Sequence, residues 1–169
     1  MKNDSTSTDI GDSTATPGED TGGLKIHEVR RFEDFPAWLD PDRFAEFMYE
    51  SLKPYEDPLP EVRRGIDDAL KPRSGEPGFV LVAENEKKVV GGLIMLRTGM
   101  QGYVPENLLL MVAVDPSTRG QGVGGKLIKR SFEAADGDVK LHVEYDNPAK
   151  RLYERLGMTS KYAEMRYYK

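Results

Sequence analysis

The chain has 169 residues, 38% of them hydrophobic, which suits one compact domain with a single core. It has no cysteine and only two histidines, His27 and His142, so disulfides, thiolate nucleophiles and a Cys- or His-rich metal site are set aside. The formal charge of −5 is concentrated in the first 23 residues, so no strong field draws nucleic acid; no apolar run approaches the ~20 residues of a membrane span or forms a secretory segment, and a cytoplasmic protein is expected.

Residues 1–23 are rich in Ser, Thr, Asp and Gly, with Asp4, Asp9, Asp12, Glu19 and Asp20 against Lys2. Such a segment buries too little apolar surface to offset its ordering entropy, and a disordered acidic tail is predicted. Residues 24–30 alternate apolar and polar, the period of a half-buried strand. From Glu33 to Arg73 the pattern is helical with proline interruptions: Phe44, Phe47, Met48 and Leu52 share one face, and a second helix runs from Pro60 to before Pro72. Strands are predicted at 79–83 and 89–96, joined as an antiparallel hairpin by a polar turn, and at 108–114. An amphipathic helix at 126–135, a strand at 139–143, a helix at 148–156 and a strand at 159–168 follow. Several antiparallel strands before one β-α-β unit give an α/β chain of the α+β type. Its sheet is mixed and mostly antiparallel, of about six to seven strands, with helices on both faces. Residues 24–169 form the single domain.

The densest chemical signal is residues 108–126, LLLMVAVDPSTRGQGVGGK, a strand feeding a glycine-rich turn that opens a helix near Val123. Helix N-termini present unpaired N–H groups, and glycines let a phosphate approach them closely. Three templates fit in part. Gly120, Gly122 and Gly125 satisfy the dinucleotide pattern G-x-G-x-x-G with Glu144 about 20 residues on, but five residues separate the strand from the glycines. Gly120 to Lys126 begins a P-loop, yet Leu127 stands where a magnesium-binding hydroxyl is needed. Arg119 to Gly124 fits [RQ]-x-x-G-x-[GA].

The second motif is NPAKRLYERLGM, residues 147–158. Asn147 is a good N-cap, Pro148 suits a first helical position, and Ala149, Leu152, Tyr153 and Leu156 share one face. The two motifs together resemble the GNAT superfamily of acetyl-CoA-dependent N-acetyltransferases, which pairs the glycine loop with a downstream N-x-x-A-x-x-x-Y-x-x-x-G-F signature. The resemblance covers residues 78–168 well and 24–77 in element order alone; Met158 replaces the usual Phe.

The resemblance implies acetyl-CoA as co-substrate, no metal, and direct acetyl transfer to a primary amine. It places the pantetheine arm along the backbone of Met111, Val112, Ala113 and Val114, with an oxyanion donor near Val112 or Ala113. It places the pyrophosphate on Gly120, Gln121, Gly122, Val123, Gly124 and Gly125, with Arg119 adding charge. Asn147 would hold the pantetheine arm and Tyr153 would protonate the departing thiolate. Many relatives carry a Glu base at the position of Leu108, which cannot serve. Glu106 and His142 are the substitutes, with Glu84 and Glu144 behind them. From Glu33 to Arg73 there are 11 acidic and 6 basic residues, which favours a cationic small-molecule or peptide acceptor. A non-catalytic acyl-CoA-binding or sensing module is the alternative, and a monomer and a homodimer are equally open.

Overall fold

A computed structural model of the chain describes residues 23–169. The expectation of a disordered acidic tail falls, apart from Gly23, on residues outside that range. Five strands form one sheet in the order β1-β2-β3-β4-β5. They are β1 (Lys25–Val29), β2 (Phe79–Asn85), β3 (Lys88–Arg97), β4 (Asn107–Val114) and β5 (Val139–Leu141). The first four pair antiparallel in sequence order, and β5 joins β4 parallel. Helices α1 (Pro41–Leu52) and α2 (Leu59–Leu70) cover one face, and α3 (Val123–Ala134) and α4 (Ala149–Arg155) the other. Among the described residues no helix is long and apolar enough to cross a membrane.

Local sequence accounts for most element ends. Asp40 starts α1 by accepting a hydrogen bond from the Asp42 N–H at 2.8 Å, with Pro41 at the first helical position. Glu86 and Lys87 turn the β2–β3 hairpin with φ of 50° and 60°, as a two-residue turn requires even without glycine. Helix α3 opens at Val123 rather than at Lys126, so Gly124 and Gly125 occupy its first turn.

The strand count is lower than the expected six to seven. β5 stops at Leu141 instead of Val143, and residues 159–168 join no ladder. The period-2 pattern at 159–168 signals an extended chain, but strand assignment also needs a hydrogen-bonded neighbour, and the pattern carries no information about one.

The feature of β4 that shapes everything downstream is a bulge. Ile94 pairs with Met111 and the next residue, Met95, pairs with Leu109, so Leu110 is the extra residue. Strict alternation would put Leu109 and Met111 on the same face. Instead Leu109 packs with the α3/α4 core, while Leu110 and Met111 both pack with the α1/α2 core.

Helix α1 settles on the sheet at Gly92. A Cβ there would lie 2.5 Å from Met48 Sδ and 2.6 Å from the Phe44 ring. Gly92→Ala should therefore cost about 1–3 kcal/mol through overpacking. The expected result is a lower urea midpoint with an unchanged m-value.

Candidate active site

The parallel ladder between β4 and β5 holds from Asn107↔Val139 to Leu109↔Leu141 and then ends. Beyond it the strands diverge around a cleft of ≈ 1350 Å³. That exceeds the roughly 300–1,000 Å³ of pockets for drug-sized molecules and suits a long ligand. One wall is β4 from Leu109 to Val114, and the facing wall is the chain from Leu141 to Ala149. The glycine turn closes one end, and the loop after α1 lies across the cleft. On the side facing β5, the β4 backbone beyond Leu109 has no ladder partner among the described residues.

The turn after β4 is built by Asp115, whose carboxylate accepts hydrogen bonds from the Ser117 hydroxyl at 2.7 Å and N–H at 2.9 Å. Those bonds, with Lys88 nearby, hold its carboxyl below the usual carboxylate range. Gly120 and Gly122 then take φ of 80° and 82°, which side chains rarely adopt. No side chain caps α3, and the first N–H turned back into the helix is that of Lys126, to the Gly122 carbonyl at 3.1 Å. The N–H groups of Val123, Gly124 and Gly125 are left without a protein acceptor among the described residues. Free donors at the positive end of a helix, opening on a cleft, fit a diphosphate.

Two expected phosphate ligands are engaged elsewhere. The Gln121 N–H closes the turn onto the Thr118 carbonyl at 3.4 Å, and Gln121 is not part of the cleft lining. Arg119 lines the cleft, but its guanidinium donates to the Ser51 carbonyl at the end of α1 (2.8 Å) and to the Val114 carbonyl (3.4 Å). The last carbonyls of a helix lack intrahelical partners, and a cation completes them well.

Tyr153 projects from α4 into the cleft and is 8% exposed. Burial pushes its phenol up to about 12. Its hydroxyl makes no hydrogen bond to the described residues, nor is it sealed from solvent, so it opens into the cleft. Asn147 also lines the cleft, and its Oδ1 accepts from the Ala149 N–H at 2.9 Å; α4 begins at Ala149 with Pro148 as its N-cap, one residue later than expected.

The structure separates the two foremost candidate bases. His142 lines the cleft immediately beyond β5. Glu106 sits at the opposite end of β4, before the ladder begins, and does not line it. Hydrogen bonds from its own N–H and that of Asp138 (2.8 Å) hold its carboxyl below the usual range. Glu106 therefore braces the loop after α3, and as a base it is misplaced. Glu84 is buried beside His27 at 3.4 Å and does not reach the cleft, whereas Glu144 lines it.

Three parts of the lining went unread in the sequence: the Ser51 carbonyl, Tyr55 of the loop after α1, and the C-terminal segment. The Tyr55 hydroxyl reaches the Asp146 carbonyl at 3.5 Å, joining the two sides of the cleft. For the last of these the strand expected at 159–168 was the one available signal; its even-numbered residues from 160 to 166 line the cleft.

Comparison with known proteins agrees with this architecture. Residues 76–158 match the family model described as an acetyltransferase (GNAT) domain. The mycothiol acetyltransferase of Brachybacterium faecium is 35% identical over 154 residues, 85% of this chain and 43% of that protein. The N-alpha-acetyltransferase 30 of Schizosaccharomyces pombe is 30% identical over 97 residues, 54% of this chain and 65% of that protein. The chain thus spans less than two thirds of the length of these curated relatives. Among solved structures, a possible acetyltransferase from Clostridium difficile 630 superposes with a TM-score of 0.61 at 25% identity, covering 86% of this chain and 97% of that one. An aminoglycoside N-acetyltransferase in complex with CoA gives a TM-score of 0.63 at 13% identity, over 86% and 94% of the two chains, and shares the fold. The matched stretch runs from before β2 to the end of the Tyr153 helix and so contains both motifs, and on that ground the chain belongs to the GNAT acetyltransferase superfamily.

Proposed function

We propose that this chain is an N-acetyltransferase that moves an acetyl group from acetyl-CoA directly to a primary amine. The observation that carries the reading is the meeting of three features on one cleft: the uncapped start of α3, the unpaired edge of β4, and the hydroxyl of Tyr153. In this reading the N–H groups of Val123, Gly124 and Gly125 hold the diphosphate. The β4 backbone from Met111 to Val114 pairs with the pantetheine arm as an added strand would. Acetyl-CoA supplies an activated acyl thioester; the remaining chemistry falls to the protein.

A cationic amine enters with its ammonium protonated and loses one proton to His142, the imidazole on the cleft lining. The freed lone pair forms the C–N bond while a β4 N–H at Val112 or Ala113 stabilises the oxyanion. As the C–S bond breaks, the second nitrogen proton ends on the sulfur, giving a free thiol and an amide. Burial alters the role expected of Tyr153. A phenol at about 12 lies well above a thiol near 8.5, so complete proton transfer to the thiolate is uphill by about 5 kcal/mol. Tyr153 then acts as a neutral hydrogen-bond donor that stabilises the departing sulfur.

The acceptor half supports a cationic substrate, though by a different route from the one the sequence suggests. Three of the 11 acidic side chains between Glu33 and Arg73 pair with bases of the same segment on the surface: Asp42 with Arg63, Glu50 with Lys53 and Glu61 with Arg64. Only Asp57 of that set lines the cleft. Glu144, Asp146 and Glu164, from the far wall and the C-terminal segment, supply the rest, beside Tyr55, Tyr145 and Tyr162. Lys53, Lys150, Arg155 and Arg166 share the lining, so the reading rests on local carboxylate–aromatic pairs and not on net charge. Carboxylates interleaved with aromatic faces suit an ammonium group.

Calorimetric titration should show coenzyme A binding with no comparable heat from NADH or ATP. Gly122→Val, which forces a side chain into positive φ, should weaken that binding at least about tenfold. Tyr153→Phe should lower kcat by about 10²-fold while the coenzyme Kd stays within about twofold of the parent. Because the phenol keeps its proton up to about pH 12, Tyr153 should contribute no alkaline limb to the rate profile below about pH 11. In a panel of polyamines, aminosugars, basic peptides and neutral amines, thiol release should favour the cationic acceptors. Coenzyme binding without thiol release for any amine would leave a binding module instead.

A further inference from the structure

We infer that the C-terminal segment completes the acceptor half of the cleft and that Glu164 within it is the positioning residue for His142. The inference rests on the acetyltransferase reading and extends it to a part of the chain that lies beyond the matched domain, residues 76–158.

Residues 159–169 have no helix or strand partner, yet Ser160, Tyr162, Glu164 and Arg166 all line the cleft. Every second residue borders it, as an extended chain allows. Met165 and Tyr167 are 93% and 88% exposed and do not line the cleft; Tyr162, which does, is still 78% exposed. The segment thus borders the cleft as an open rim without a ladder. On that rim Glu164 Oε1 lies 4.0 Å from His142 Nδ1. Arg166 Nε donates to the same carboxylate at 2.8 Å and, with His142 as the further contributor, holds the Glu164 carboxyl below the usual range.

A carboxylate on the Nδ1 side favours a proton at that nitrogen and leaves Nε2 to take a proton from the amine. At 4.0 Å the contact falls short of a hydrogen bond, and Arg166 holds the same oxygen, so Glu164 acts on the ring as a nearby charge. The other charged groups near this pair are Glu144, Asp146, Asp57, Lys53, Lys150, Arg155 and Arg166 of the cleft lining, with Lys140 of β5 also acting on Glu164. None of the three other carboxylates makes an ion pair with His142. Tyr162, on the same rim, borders the acceptor side.

The test uses the full chain with acetyl-CoA and the best amine of the panel. Glu164→Gln should lower kcat about tenfold and leave the KM for acetyl-CoA and the calorimetric Kd for coenzyme A unchanged. Glu164→Asp should recover part of the loss. In a His142→Gln background, Glu164→Gln should add no further loss, since the carboxylate acts only through the ring. The acid limb of the kcat/KM profile should flatten in His142→Gln and shift in Glu164→Gln. In the coenzyme-free protein, the His142 ring resonances should move in Glu164→Gln and stay in place in Glu144→Gln. Parental kcat in Glu164→Gln, losses that add with those of His142→Gln, or an unmoved His142 ring signal would each overturn the inference. If no amine yields thiol, the acetyltransferase reading fails, and the ring resonances still decide whether Glu164 positions His142.

Discussion

The parallel pairing of β4 and β5 stops at Leu109↔Leu141, and the rest of the site depends on that stop. The bulge at Leu110 lies one residue further along β4, where the extra residue bends the strand and raises its twist. Backbone N–H and C=O groups beyond this point have lost their neighbour on one side but remain lined up as a strand edge. Such groups require a partner, and a cleft wall made of them selects an extended, amide-bearing ligand. The glycine turn follows from the same geometry. Helix α3 crosses from the end of β4 to the start of β5, so its N-terminus comes at the carboxyl end of the parallel pair, where ligands collect in sheets of this kind.

Arg119 shows how the two halves of the cleft are held together. It occupies the first position of the glycine motif, and its guanidinium bonds the carbonyl end of α1 although the residue is exposed. The loop bearing Lys53, Tyr55 and Asp57 leaves α1 at that same end, so one guanidinium joins the glycine turn to the loop after α1. A planar fork with several donors can satisfy the Ser51 and Val114 carbonyls at once, which a lysine would do poorly. Tyr55, touching the Asp146 carbonyl, makes the second tie across the opening.

Burial does separate work at the two ends of the reaction. Tyr153 is held in an apolar setting formed with Leu152, Leu156 and α3, which keeps the phenol neutral. The acceptor mouth is the reverse: His142 and Glu164 are partly open, with side chains 48% and 41% exposed.

The sequence by itself determined the antiparallel strands, the covering of both sheet faces by helices, the glycine turn and the helix of Asn147 and Tyr153. All of these are written in local terms: period-2 and helical patterns, caps, and residues that tolerate positive φ. The composition of the glycine motif likewise fixed where α3 would leave N–H groups open. Tertiary structure alone decided which side chains share the cleft. Glu106 and His142 looked alike as candidates, but one lies before the β4–β5 ladder and the other after it, a distinction set by strand pairing. Apart from Asp57, the carboxylates on the cleft come from residues 144, 146 and 164, because those of α1 and α2 point elsewhere once the helices are packed on the sheet. The contact of Arg119 with Ser51 joins positions far apart in the chain, and no periodicity in either segment encodes the other.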